Sequence, residues 1–269
     1  VANNYKSWIP LALLEHLRPI IRRGIYFSGS YVDWISASKE SSGYDAGVIL
    51  EKVKHATLQV MAGKAVYERD SVLFDEEHYS FPLLAGLLRA ANEDGGKLSV
   101  LDFGGSLGSS YFQCRNFLSI VKDLQWCVVE QPHFVRCGRE HIESRQLKFY
   151  FDVDEATNSA IPNVILLASV LQYLPKPYEI LDRLTQTGAR YLIIDRTPFS
   201  NLLHDLITVQ HVPPEIYPAS YACRVFSKSN ILERLSEQFE LLSEFENEDG
   251  GAVTAGTRFT FGGLILRRK

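Results

Sequence analysis

The stretch Lys97 to Gln113, KLSVLDFGGSLGSSYFQ, constrains the fold of this chain more than any other. Leu98, Val100, Leu101 and Phe103 make an apolar run with little polar alternation, the pattern of a strand buried on both faces in a parallel sheet flanked by helices. Asp102 stands near its end, and Gly104, Gly105 and Gly108 follow, residues that let a backbone turn sharply and approach a ligand closely. Ser109 to Phe117 can continue as a helix. A strand, a glycine-rich turn and a helix in that order cradle nucleotide-like ligands at the carboxyl edge of an open sheet.

The spacing of the glycines narrows the ligand. A dinucleotide fingerprint needs G-x-G-x-x-G, and Phe103 stands where its first glycine would be if Gly105 and Gly108 were the others. The turn instead resembles motif I of class I S-adenosylmethionine-dependent methyltransferases, D-x-G-x-G-x-G. Asp102, Gly104 and Gly108 are in place, Gly105 lies beside them, and Ser106 replaces the usual middle glycine. The resemblance implies S-adenosyl-L-methionine as cofactor, held by Asp102, Gly104, Gly105, Ser106 and Gly108.

Bulk properties remove other classes. With 269 residues, 46% of them hydrophobic, the chain can bury one large core or a core with an appended piece. A formal charge of −4 gives no global field for a polyanion, so no nucleic-acid partner is expected. Cys114, Cys127, Cys137 and Cys223 form no C-x-x-C pair and read as reduced thiols of a cytoplasmic protein. Neither a membrane span nor a signal-peptide pattern is legible.

Before the glycine turn, Leu11, Leu14, Leu17 and Ile21 recur at helical intervals, and Ala46 to Gly63 places Ile49, Val53, Ala56 and Val60 on one helical stripe. Between them lies an aromatic segment with Tyr26, Phe27, Tyr31, Trp34 and Tyr44 in turn-like Gly and Ser surroundings, read either as a satellite core or as a ligand platform. Glu68, Arg69 and Asp70 crowd into one turn, either a solvated ion pair or a lid at a pocket mouth. Tyr79 to Ala91 is a further helix, and Asn92 to Gly96 a hydrophilic break. Residues 1–95 are therefore expected to form a helical cap on the acceptor side, and residues 96–269 a cofactor-binding Rossmann-like domain.

After the turn, strands and helices alternate, which argues for right-handed crossovers and a parallel sheet. Gln125 to Glu130 is a second strand ending in an acid, and Glu130 stands where such folds place a carboxylate against two ribose hydroxyls. Leu147 to Phe151 is a third; Asp152 or Asp154 after it could accept from an adenine amino group, with Asp152 favoured over a capping role, and Phe151 or Gln131 could border the ring. Asn163 to Tyr173 reads as one strongly buried strand that sets Ala168, Ser169, Gln172 and Tyr173 beside the reacting sulfur. Tyr191 to Asp195 is a fifth strand and delivers Asp195, Arg196 and Thr197 to the same edge. Two closing strands around the Gly-rich connection Glu248 to Gly256 form an antiparallel hairpin, as in class I methyltransferases.

The segments GYD at 43–45, ERDS at 68–71, LDFGGSLGSSYFQ, SVLQYLPKPYEIL, RTPF and TVQHVPPEIYPASY together resemble a family of uncharacterised bacterial putative methyltransferases met among surface-polysaccharide genes. That resemblance implies methyl transfer to a small molecule, with an oxygen of a sugar or surface-polysaccharide intermediate as the acceptor. A hydroxyl acceptor needs a base, and His204 and His211 qualify by type, in a segment expected to fold over the cofactor, with Asp195 nearby; each His could equally be a packing residue. No metal is required. A homodimer is compatible with this organisation. The competing readings are an NAD(P)-dependent oxidoreductase and a non-catalytic methyltransferase-like scaffold.

Overall fold

The structure is a computed structural model that describes residues 24–43, 46–213 and 219–269. The helix expected over 9–21, Tyr44 and Asp45, and the loop that includes Tyr217 lie outside the described residues. In chain order the elements are β1 (Tyr26–Tyr31), α1 (Trp34–Lys39), α2 (Ala46–Met61), β2 (Tyr67–Arg69), β3 (Val72–Phe74), α3 (Phe81–Glu93), β4 (Lys97–Phe103) and α4 (Ser109–Cys114). Then follow β5 (Asp123–Val129), α5 (Pro132–His141), β6 (Leu147–Tyr150), α6 (Val153–Ser159), β7 (Val164–Ala168), α7 (Pro177–Thr185) and β8 (Tyr191–Ser200). The chain closes with β9 (Leu206–Val212), β10 (Ala219–Ser227), α8 (Lys228–Leu235), β11 (Phe239–Thr254) and β12 (Thr257–Arg268).

Parallel pairing runs β6, β5, β4, β7, β8, and the β11–β12 hairpin adds antiparallel to β8 through β12. This is a Rossmann-like α/β sheet, mostly parallel with an antiparallel C-terminal hairpin, as the sequence reading expected. The four central strands carry side chains into two separate apolar clusters. Leu98, Val100, Trp126 and Leu166 face one, and Leu101, Cys127, Ile165 and Leu167 the other, as expected of strands covered on both faces. Helix α3 covers β4 and β8 with Leu83, Leu84 and Leu87, and the expected stripe Ile49, Val53, Ala56 and Val60 of α2 is buried. Each such side chain stabilises the fold by roughly 1.5 to 3 kcal/mol relative to exposure.

Four features differ from the sequence reading. The strand expected over 163–173 ends at Ala168, because Ser169 takes a left-handed φ of 57° and turns the chain into a 3-10 segment at Leu171–Tyr173. The aromatic segment read as irregular is strand β1, antiparallel to β9. The stretch after β8 is a pair of strands: β9 pairs antiparallel with β10, and β10 joins the far end of β8 at Phe226 and Ser227. Beyond the parallel strands the sheet therefore forks: β12 runs along one edge of β8 from Tyr191 to Phe199, while the other edge is taken by β7 at Tyr191–Asp195 and by the β10, β9, β1 arm at Phe199 and Ser200. Among the described residues, segment 1–95 contributes β1 to this arm, a two-stranded β2–β3 hairpin and helices α1 to α3. No helix among the described residues is long and apolar enough to cross a membrane.

Candidate active site

The carboxyl ends of β4, β5, β7 and β8 open onto one cavity of about 1230 Å³. Its floor is the glycine turn. Gly104 has φ 74° and donates its N–H to the Val129 carbonyl at 2.9 Å, tying the turn to the end of β5. A Cβ there would lie 2.3 Å from Cγ2 of Val170, and one on Gly105 would lie 2.5 Å from the Asp102 carboxylate. The turn is thus pressed between two walls and admits no side chain at either position. Ser106, which stands in for the middle glycine of the motif, takes φ 56°, a conformation that costs an L-residue about 1 to 2 kcal/mol. The substitution keeps the glycine geometry.

Left-handed residues recur along this edge: Gly104 and Ser106 after β4, Ser169 after β7, and Arg196 within β8 at φ 47°. Strain of this kind persists only where its surroundings impose it, and it clusters at ligand sites. Asp102 lies beneath the turn, fully buried, with Trp126 Nε1 donating to Oδ2 at 2.9 Å and, among the described residues, no partner on Oδ1. Burial pushes its carboxyl up to about 7 against the pull of the indole N–H. Glu130 reaches the cavity from the end of β5 and accepts the Gln131 N–H at 2.5 Å. Burial raises its pKa, and the amides of Gln131 and Ser106 oppose the shift.

Around Glu130 the wall is flat and apolar, made by Gln131, Pro132, Phe134 and Phe151, and the Arg139 guanidinium sits 4.6 Å from the Phe151 ring. Along the next strands stand Ala168, Ser169, Val170 and Tyr173, and then the Arg196 side chain. Asp70, Asp195, Asp249 and Asp102 surround Arg196 and raise its pKa against burial, yet no carboxylate among the described residues pairs with it within 4.0 Å.

The β2–β3 hairpin closes over the turn. Asp70 and Ser71 take φ 51° and 67°, the two left-handed central residues of a tight hairpin loop. Glu68 is buried at 1% exposure and accepts from Ser109 Oγ, in the first turn of α4, and from the Ser71 N–H at 3.1 Å. Burial, with the Asp70 charge adding to it, pushes Glu68 up to about 7, while the Ser109 and Ser71 hydrogen bonds pull the other way. This replaces the solvated ion pair expected for Glu68, Arg69 and Asp70: Glu68 is a buried latch, Arg69 lies 3.7 Å from Asp249 of β11, and Arg69, Asp70 and Asp249 line the cavity.

The structure brings Gly104, Gly105, Ser106, Glu130, Gln131, Ala168, Ser169 and Tyr173 to one wall. It takes others away. Asp152 caps α6 by accepting the Glu155 N–H on Oδ1 at 2.8 Å and lies outside the lining of the cavity. Gly108 is the N-cap of α4 at φ 89°, packed against Leu147 outside the cavity wall, and Asp102 supports the turn from below. Asp195 is buried and accepts from the Arg196 N–H at 2.9 Å and Asn247 Nδ2 at 2.8 Å, which ties β8 to β11. His204 is exposed beside Tyr178, Asp205 and Arg234, in a separate depression. His211 is excluded by alternation, because Gln210 and Val212 on either side of it face the cavity. Its ring stacks on Tyr26 at 4.4 Å and bonds Ser28 Oγ at 2.8 Å, joining β9 to β1.

Sequence reasoning missed Gln210 and Asp249 as cavity residues, named Asp70 only as part of a possible lid at the pocket mouth, and set Arg196 at the carboxyl edge with the candidate role given to its neighbour Asp195. Alternation in TVQHV pairs Gln210 with Val212, but only the fold says which face of that strand meets the cavity.

No family model matches the chain, and no curated protein matches it significantly. Among solved structures it is similar to the N-terminal domain of EvdMO1 crystallised in the presence of SAH and D-fucose, at 13% identity and a TM-score of 0.47 over 84% of this chain and 98% of that one. It is also similar to 1,6-didemethyltoxoflavin-N1-methyltransferase of Burkholderia thailandensis, at 14% identity and a TM-score of 0.44 over 85% and 91%. A third is magnesium protoporphyrin IX methyltransferase of Synechocystis, at 12% and 0.43 over 85% and 99%. At such identities and TM-scores no residue role is carried across from any of them.

Proposed function

We propose that this chain is an S-adenosylmethionine-dependent methyltransferase acting on a small molecule. The observation that carries the reading is one cavity on which a side-chain-free glycine turn, a ribose-type carboxylate and a flat apolar slot converge at the carboxyl edge of a class I sheet. The cradle a Cβ would fill at Gly104 and Gly105 suits close approach of a ligand to the backbone. When bound, S-adenosylmethionine supplies an electrophilic methyl group on its sulfonium sulfur.

The chain's own residues divide the remaining work. Glu130 offers two acceptor oxygens to vicinal ribose hydroxyls, and Gln131, Phe134 and Phe151 border the adenine. Arg196 and Asp70, of opposite charge on one wall, match the carboxylate and ammonium of the methionine end. Ala168, Ser169 and Tyr173 flank the reacting centre and exclude water from it. Residues 96–269 form the cofactor side in this reading, and residues 1–95 help to close the acceptor side. The ionisable groups on the cavity wall, among the described residues, are Arg69, Asp70, Glu130, Tyr173, Arg196, Tyr221 and Asp249; with Asp70 and Glu130 given to the cofactor, a base for the acceptor would be Asp249 or a bound water rather than a histidine. The sequence points to a sugar oxygen as acceptor; the chamber wall favours a different class.

Titration calorimetry with S-adenosylhomocysteine tests the assignment, with NAD as the comparator. Saturable binding of the first and none of the second is expected. Stabilisation by NAD alone would place the chain among oxidoreductases, and cofactor binding without turnover on a broad acceptor panel would favour the scaffold reading.

A further inference from the structure

Pockets for one drug-sized ligand occupy roughly 300 to 1,000 Å³. The cavity here, at about 1230 Å³, holds a nucleoside cofactor and has room beside it for a second molecule. That room lies where the sheet forks, between the β1, β9, β10 arm and the β11–β12 hairpin, and its wall has a distinct chemistry.

Ile25 and Phe27 of the β1 side, Val212 of β9, Tyr221 of β10, and Ala252 and Phe261 of the hairpin face this chamber. Its aromatic rings are held in place by one another: Phe27 lies 6.1 Å from Phe261, and Tyr173 meets Tyr221 edge-on at 5.2 Å. One carboxamide, Gln210, is set among them, and both its ends are engaged. Tyr173 Oη donates to Oε1 at 3.0 Å, and Nε2 faces Tyr221 Oη at 3.5 Å. Gln210 is itself 4% exposed.

A polyhydroxylated molecule loses a hydrogen bond to water for each hydroxyl it buries, and every one left unmatched weakens binding. The side chains named here are apolar, aromatic or, like Gln210, already hydrogen-bonded; Ser38 and Ser41 on the α1 side and Asp249 beside Ala252 are the further polar side chains that a hydroxyl could meet. A flat ring system buries fewer such groups for its area and gains from each offset or edge-on aromatic contact beyond that area. We infer that the chamber at the fork of the sheet is the acceptor site and takes a flat aromatic molecule, not a sugar. The inference rests on the methyltransferase reading and deepens it.

The test is binding to the full chain saturated with S-adenosylhomocysteine. The aromatic probes are 7-hydroxycoumarin, quercetin and 8-hydroxyquinoline, and the sugar probes are methyl α-D-glucoside, methyl α-D-mannoside and UDP-glucose. At least one aromatic probe is expected to bind with a Kd tenfold or more below that of every sugar. Phe261→Ala, which removes a ring from the wall, and Ala252→Phe, which fills the chamber, should each weaken that probe tenfold or more while homocysteine-cofactor affinity stays within twofold. Tighter binding of a sugar, no binding by any aromatic probe, or an aromatic Kd unchanged in both folded variants would overturn the inference. The underlying cofactor reading has a separate readout, since its failure appears as absent S-adenosylhomocysteine binding in the parent protein.

Discussion

A methyl group at Gly104 would sit 2.3 Å from Cγ2 of Val170, a distance that ordinary side-chain motion does not relieve, and the residue's φ of 74° adds strain for any L-side chain. Gly104→Val therefore displaces the turn, and Glu130→Ala removes both acceptor oxygens at the end of β5. Hydrogen bonds to charged groups contribute about 1.5 to 3 kcal/mol each, so each variant should weaken S-adenosylhomocysteine roughly ten- to a hundredfold by calorimetry. Unchanged affinity in both folded variants would remove the cofactor from this cavity. Arg196 permits a sharper comparison. Arg196→Gln should weaken S-adenosylhomocysteine about tenfold or more but leave 5′-methylthioadenosine, which lacks the amino-acid end, within about twofold. An equal loss for both ligands would assign Arg196 to general packing. The glycines and Glu130 were legible because their chemistry is tied to strand ends. Arg196 was legible only as one of three residues at the right edge, because adjacent residues at a strand end point apart, and the string DRT does not say which side chain meets the ligand.

At the scale of elements, the parallel strands could be read from the sequence because each is buried on both faces and so is continuously apolar. The arm β1, β9 and β10 could not. Its strands mix Ser, Thr, Gln and Tyr with small apolar residues, and β1 takes its partner β9 from about 180 residues away in the chain, as in the Thr208 Oγ1 bond to the Ser28 carbonyl. The β2–β3 hairpin was hidden differently: its charged turn looks solvated until Ser109 is found to hold Glu68. Because burial raises Glu68 to about 7, the folded protein binds this proton more tightly than the unfolded chain does. Its contribution is full below the ordinary carboxyl value and is lost as pH rises through about 7. Glu68→Gln, which mimics the protonated form, should flatten the fall in hairpin stability between pH 5 and 8. Hydrogen exchange at residues 67–74 measures this directly; in the parent, protection should drop toward pH 8, and in the variant it should hold. An equal drop in both would mean that the latch is not what titrates.

For the whole molecule, two opposed ionisations frame stability against pH. Asp102, pushed up to about 7 by burial, weakens the fold as pH rises, with the same sign as Glu68. His211 works in the other direction. Burial lowers its pKa, so its contribution is present above the ordinary imidazole value and is lost as pH falls through the lower folded value. The two windows overlap below neutral pH, and each limb belongs to a different part of the fold: the acidic limb, from His211, to the β1–β9 seam, and the alkaline limb, from the two carboxyls, to the glycine turn and its hairpin. His211→Ala removes the stacking on Tyr26 and the bond to Ser28, at a cost of about 1 to 2 kcal/mol. It should also flatten the acidic limb of a Tm-against-pH curve while the alkaline limb keeps its slope. Because the ring lies on the sheet face away from the cavity, S-adenosylhomocysteine affinity and methyl-transfer rate should both stay within about twofold of the parent. A tenfold loss of turnover in a folded His211→Ala protein would contradict that placement and return the imidazole to the position of the base. A flattened acidic limb with full turnover would make it the clasp between the arm and its outermost strand.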